Sequence, residues 1–453
     1  MIRRLVVPPL EALRPFLPQL NSTDQATRET VARILASVAA DGDRAVRACT
    51  LELDGLDLPA ETWEVPRTEW LAALGRLPGA LRHALEVAVA RVTAYHERQR
   101  DPGFTFTEPD GTVLGMKVTP LDRVGLYVPG GKASYPSSVI MNAVPAVVAG
   151  VRDIVAVTPP GGFLTDAVLA ACELAGVTRL FRIGGAQAVG ALAYGTATVP
   201  RVDKIVGPGS RWVAEAKRQV VGQVGIDSIA GPTELLVLAD ESASAARVAT
   251  DLVAQAEHDE DASAWCVTTS TVLADALPAA LEATLGAAPR AAIARASLEQ
   301  NGVVILVPTI DDAIAVANLR APEHLEILMR NPAAVASGIR NAGAIFLGSH
   351  TPEPVGDYIA GPSHVLPTSG TARYASPLGV YDFIKRTSVI QYSAARLAAD
   401  APHVIAMAEA EQLMGHAEAV RQAAGSRAAG GQAAGSQAAG SQAAGSQGDG
   451  FTE

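Results

Sequence analysis

Hydrophobic and polar positions along the chain fall into two textures. From 22 to 100 apolar residues recur at three- and four-residue spacing, as in LRHALEVAVARVTAYHERQ, and Asn21-Ser22-Thr23-Asp24 supplies cap residues ahead of them, so this stretch predicts helices. From Arg123 short β-branched runs take over, RVGLYVP, RDIVAVTPP and RVDKIVGPG, each closed by Gly or Pro and separated by stretches of helical period. A second series follows, with ELLVLAD, WCVTTST, NGVVILV and AGAIFLG as strands and SAARVATDLVAQAEH as a helix. This alternation predicts an α/β fold of two tandem units with parallel-rich sheets. The Gly-, Pro-, Ser- and Thr-rich stretch from Ser349 to Ala375 predicts a long loop, of the kind that usually serves function. QAAGS repeats run from Gln422 to Gln447, and their small side chains offer too little area to offset the cost of ordering, which predicts a disordered tail over 422–453.

Composition narrows the partners. Of 453 residues 49% are hydrophobic but only 4% aromatic, so aliphatic side chains must build the core. A net charge of −11 argues against nucleic-acid binding, which needs a Lys/Arg surplus, and favours a small-molecule or protein partner. Cys49, Cys172 and Cys266 are odd in number and far apart, and read as reduced thiols. The apolar stretch Val139 to Val151 is shorter than the roughly 20 residues a membrane helix needs. No export signal follows the Arg pair near the N-terminus, so a soluble, cytoplasmic protein is expected.

Four constellations carry candidate chemistry, each with a plainer alternative. Gln255 and His258, three apart, predict one helix face able to grip a metal, or else a polar helix end. Glu323 and His324 follow Pro322, which predicts a helix start; they can serve as general bases for different atoms of one substrate, or Glu323 can simply complement the helix dipole. Asp357 and His364 share a Gly-rich loop and suit metal binding or proton transfer, while Asp beside Gly also suits a turn. Glu411 and His416, five apart, do not share a helical face, and Gly415 is expected to break the helix between them. RIGGAQAVG follows a strand and opens a helix, so its amides can cradle a phosphate, although it is not the GxGxxG fingerprint.

Taken together, VGLYVPGGKASYPSSVIMNAVPA, RIGGAQAVGALAYGT, KIVGPGS, GIDSIAGPTE, LVAQAEHD, RAPEHLE and GPSHVLPTSGTARYASPLGVYDF resemble the histidinol dehydrogenase family in order and spacing over about 1–420. The resemblance implies a zinc- and NAD-dependent homodimer that oxidises L-histidinol through its aldehyde to L-histidine. It implies zinc ligands at Gln255, His258, Asp357 and His416, and substrate contacts at these residues and at Thr233, His324, His364 and Glu411. Glu323 and His324 would be the catalytic bases, NAD would meet Tyr127, Gln187 and Ser210, and Glu411 and His416 would reach the partner's site. Two Rossmann-like domains are implied, one from 1–21 with 121–235 and one from 22–120 with 236–376, plus a small helical dimerisation extension over 377–421.

Two positions depart from the family pattern. Ser210 stands where GPGN has Asn, and the loss of one amide hydrogen bond, ~1 kcal/mol, predicts roughly fivefold weaker NAD binding. Thr233 replaces the Ser of GPSE but keeps the hydroxyl. The rival readings are a relative that oxidises another alcohol, a zinc hydrolase that uses no nucleotide, and a non-enzymatic interaction protein that works through the repeat tail.

Overall fold

The structure, a computed structural model, describes residues 2–6, 9–17, 24–130, 134–162 and 164–430, and it divides into two units. The first, 1–101 with 119–385, holds two parallel sheets. Its five-stranded sheet has the order β6 (Arg179–Phe181), β5 (Asp153–Val157), β4 (Arg123–Tyr127), β7 (Lys204–Val206), β8 (Gly225–Ile226). Its six-stranded sheet has the order β1 (Arg3–Val6), β11 (Val303–Leu306), β10 (Ser263–Thr268), β9 (Glu234–Ala239), β12 (His324–Leu328), β13 (Ala344–Leu347). Every residue of β9 and β12 is buried, as expected of central parallel strands covered on both faces.

The domain assignment expected from the sequence is reversed at the N-terminus. Arg3–Val6 pairs in parallel with Val303–Leu306 of the six-stranded sheet, and does not join the 121–235 strands. The helices Gln25–Asp41 and Gly79–His96 instead cover the five-stranded sheet: Val31 and Leu35 pack with Val189 and Leu192, and Leu85 and Val92 with Val139 and Ile140. Helical period shows that a face is apolar but not which sheet will cover it.

The second unit, 102–118 with 386–453, carries most of a three-stranded sheet that the sequence reading did not anticipate, in the order β14 (Ile384–Gln391), β3 (Val113–Pro120), β2 (Phe104–Thr107), with β2 and β3 antiparallel. Helices Ala394–Ala410 and Met414–Gly430 complete it and form the expected helical extension. The start of the repeat tail, 422–430, continues the last helix: Ala-rich sequence extends an existing helix without a new nucleus. The remainder of the tail, 431–453, lies outside the described residues.

Candidate active site

The site begins where helix Ile310–Arg320 stops. Ala321 adopts the left-handed region at φ 50°, Pro322 cannot continue a helix, and the chain enters β12. His324 therefore opens a strand, with Glu323 just before it, and not the helix expected from Pro322, since the buried run HLEIL pairs with β9 in the register His324 to Leu235. Glu323 Oε2 accepts from Thr233 Oγ1 at 2.7 Å and from the Glu234 amide at 2.8 Å. Burial drives its carboxyl well above the ordinary range, against those two donors.

His324 is buried, and its Nδ1 lies 3.0 Å from the Glu234 carbonyl. A carbonyl only accepts, so the proton sits on Nδ1 and Nε2 presents a lone pair. That Nε2 has no hydrogen-bond partner among the described residues, and burial holds the imidazole pKa below its ordinary value, so the ring is a neutral base. The same device recurs: His258 Nδ1 is 3.2 Å from the Gln255 carbonyl and His364 Nδ1 is 3.0 Å from the Asp357 carbonyl. Three imidazoles are thus pinned to main-chain oxygens through Nδ1.

Gln255 closes helix Ala245–Ala256, and His258 lies just beyond it. Gln255 donates to Thr233 Oγ1 at 2.8 Å, while its buried Oε1 has no hydrogen-bond partner among the described residues. Asp357 sits on a short helix, Glu353–Tyr358, within the expected loop. Its Oδ2 is 4.0 Å from His258 Nε2, and its Oδ1 is 3.9 Å from His324 Nε2 and 3.8 Å from His364 Nδ1. A separation of 4.0 Å is too long for a hydrogen bond and is about 0.6 Å wider than the roughly 3.4 Å between two tetrahedral ligands of one zinc ion, so a small side-chain adjustment would let both bind it. The orphaned Gln255 Oε1 adds a third oxygen or nitrogen donor, so the residues present fit a zinc ion.

A second grouping, His324, Glu353 and Asp357, has ligand atoms within 4.8 Å of one another. Glu353 escaped the sequence reading, although it stands one helical turn before Asp357, a spacing that places both on one face. Burial, reinforced by Asp357, pushes its carboxyl up to about 10.

On the opposite wall are the turns at the carboxyl ends of the five-stranded sheet, the usual place for a nucleotide. Tyr127 ends β4, and its hydroxyl accepts from the Gly185 amide at 3.0 Å. Burial pushes that phenol up to about 12, so it stays protonated. Gly185 has φ 64°, and a Cβ there would come within 2.5 Å of Gln187 Oε1, itself buried and without a hydrogen-bond partner among the described residues. Ser210 is the exposed N-cap of helix Arg211–Val220 and makes no capping bond with its side chain.

A cavity of about 400 Å³ joins these walls: Pro208, Gly209 and Ser210 line one side, and Thr233, His258, Glu323, His324, Asp357 and His364 the other. Tyr127, Gln187 and Gln255 are not among its lining residues. Glu411 and His416 belong to the second unit, both exposed: Glu411 caps helix Ala394–Ala410 and His416 lies in the first turn of Met414–Gly430. The break between them falls at Gln412, φ 60°, and not at Gly415, which is helical.

In this α/β architecture a buried carboxyl–imidazole pair thus faces Gly-rich turns of the five-stranded sheet across one cavity. The family model for histidinol dehydrogenase matches residues 18–423. Histidinol dehydrogenase of Bordetella parapertussis is 55% identical over 384 residues, 84% of this chain and 87% of the relative. That of Nitrosospira multiformis is 51% identical over 409 residues, 90% of this chain and 93% of the relative. The crystal structure of histidinol dehydrogenase from Elizabethkingia anophelis superposes with a TM-score of 0.87 at 32% identity, covering 92% of this chain and 97% of the other. The chain belongs to the histidinol dehydrogenase family.

Proposed function

We propose that the chain oxidises L-histidinol through L-histidinaldehyde to L-histidine with two NAD+ per substrate, in a zinc-dependent homodimer. The observation that carries this reading is the juxtaposition of a neutral His324, Nε2 free, with a Glu323 carboxyl aimed by two donors into the same cavity. When bound, zinc held by Gln255, His258, Asp357 and the other chain's His416 would anchor the substrate's nitrogens, and NAD beside Tyr127, Gln187 and Ser210 would accept hydride.

His324 Nε2 takes the hydroxyl proton as the carbinol carbon gives up hydride, leaving the aldehyde. Glu323 removes a proton from water as the water oxygen adds to the aldehyde carbon, and the protonated His324 returns its proton to the carbonyl oxygen, which forms the hydrate and restores the neutral imidazole. His324 then takes a hydroxyl proton from the hydrate as the second hydride leaves. The sum is alcohol, water and two NAD+ giving carboxylate, two NADH and three protons. Water, and not a thiol, is the nucleophile in this scheme: none of the three cysteines lines the cavity, and Cys172 and Cys266 are wholly buried. His364 and Thr233 contact substrate, and the second unit supplies Glu411 and His416 to the other chain of the dimer. The protein works in the cytoplasm without nucleic-acid or membrane partners.

The test is the NADH yield per L-histidinol. Two NADH, lost in a Glu323→Gln/His324→Gln double variant, support the scheme. A yield of one would remove the hydrate step, and none would favour the relative that oxidises another alcohol.

A further inference from the structure

Behind the two bases lies a buried ion pair that the scheme above does not use. Arg320, the last residue of helix Ile310–Arg320, is 2% exposed. Its guanidinium lies over the Trp265 ring at 4.2 Å, donates to Ser263 Oγ at 2.8 Å and stands 3.6 Å from Glu234 Oε2. Glu234, also 2% exposed, opens β9. Neither residue lines the cavity that holds Glu323 and His324; both line a separate one of about 270 Å³.

Glu234 is nonetheless the hub of the catalytic pair. Its amide donates to Glu323 Oε2 and its carbonyl accepts from His324 Nδ1, so one peptide segment fixes the direction of one base and the tautomer of the other. Its Oε1 accepts from the Ser369 amide at 2.7 Å, in the loop that also carries His364. Its Oε2 has no hydrogen-bond partner among the described residues and lies 3.6 Å from the guanidinium. Arg320 meanwhile precedes Glu323 by three residues, through Ala321 in the left-handed region and Pro322 with its fixed φ, a connection with little freedom. The guanidinium therefore constrains the bases twice, along the chain and across the ladder.

Burying two such charges costs several kcal/mol each, and an apolar pair would pack at least as well, which directs attention to what this pair holds in place. We infer that Arg320 is a positioning residue that acts through Glu234 to aim His324 Nε2 and the Glu323 carboxylate. The inference rests on the assignment of Glu323 and His324 as the bases.

The test compares Arg320→Gln, Arg320→Lys and Glu234→Gln with the wild-type holoenzyme, measuring kcat and both KM values and checking folding by thermal melting. A displacement of the bases by about 1 Å lowers kcat by up to about a hundredfold. The expected result is a kcat fall of about tenfold or more in Arg320→Gln, with the KM for NAD within about twofold, because the nucleotide turns belong to the other sheet. Arg320→Lys, which keeps a cation opposite Glu234, should recover most of that loss. If Arg320→Gln does not fold, Glu234→Gln, which leaves the backbone groups in place, must show the same kcat fall. Wild-type kcat in either folded Gln variant, or a Lys variant no better than Gln, overturns the inference. No NADH from wild type overturns the functional reading, and the positioning role with it.

Discussion

Lys217→Met is the perturbation that best separates cofactor geometry from scaffold strength. Lys217 and Asp227 form an ion pair whose side chains are 2% and 5% exposed. Between them they hold Gly207: its carbonyl accepts from Lys217 Nζ at 3.0 Å, and its amide donates to Asp227 Oδ2 at 2.8 Å. Gly207 has φ 104°, and a Cβ there would meet the Tyr127 carbonyl oxygen at 2.3 Å, so the backbone turn and not a side chain must be clamped. This turn leads into Pro208, Gly209 and Ser210 on the cavity wall.

Removing one partner of a buried pair costs about 3–5 kcal/mol. Asp227 would retain two amide donors, from Gly207 and from Ser228 at 2.6 Å, which stabilise the anion and place the loss near the lower end, about 3 kcal/mol. The Lys217 bond to the Gly207 carbonyl is the part felt by the turn. A hydrogen bond to a charged group contributes about 1.5–3 kcal/mol, so the ordered turn becomes at least about tenfold less populated and NAD affinity falls by the same factor. Calorimetric titration with NAD, a urea-unfolding midpoint and the KM for histidinol form the assay. Reduced stability with NAD affinity within twofold of wild type would refute the link between this pair and the cofactor. An unchanged unfolding midpoint would refute the energetic argument itself.

Two further outcomes are expected. Ser210→Asn should tighten NAD about fivefold by restoring one hydrogen bond, and should leave the melting temperature unchanged because Asn is as good an N-cap; unaltered affinity in a titration would show that residue 210 does not touch the cofactor. Burial pushes the Cys266 thiol up to about 12 and Cys172 higher still, so in the native protein at pH 8 only half-buried Cys49 should titrate with a thiol reagent, all three reacting after denaturation; fast native labelling of Cys172 or Cys266 would contradict their burial.

What the sequence revealed and what it hid follow from the range of the forces involved. RVGLYVP and ELLVLAD were legible as strands because β-branched runs closed by Gly or Pro carry their signal locally. HLEIL was not: Pro322 favours a helix start, and the competing left-handed turn falls on Ala321, a residue that seldom adopts it. The cover of the five-stranded sheet by Gln25–Asp41, and the pairing of Arg3–Val6 with β11, are tertiary choices that periodicity does not encode. Of the candidate residues, Thr233, His258, Glu323, His324, Asp357 and His364 do meet in one cavity, although local spacing alone favoured plainer roles for several of them. Glu234 and Arg320 went unnoticed because a backbone amide and a backbone carbonyl leave no motif.

The two sides of the cavity differ in how firmly they are woven into the fold. His324 opens a strand bonded on both flanks, to β9 and β13, whereas His258 follows a helix end and Asp357 rides on a helix of fewer than two turns. Amide protons of β12 should exchange with solvent only when the whole six-stranded sheet opens, while those around His258 and Asp357 exchange through small local openings. In the proposed scheme, heating should therefore release His258 and Asp357 first, and activity should vanish while the sheet that carries His324 is still intact.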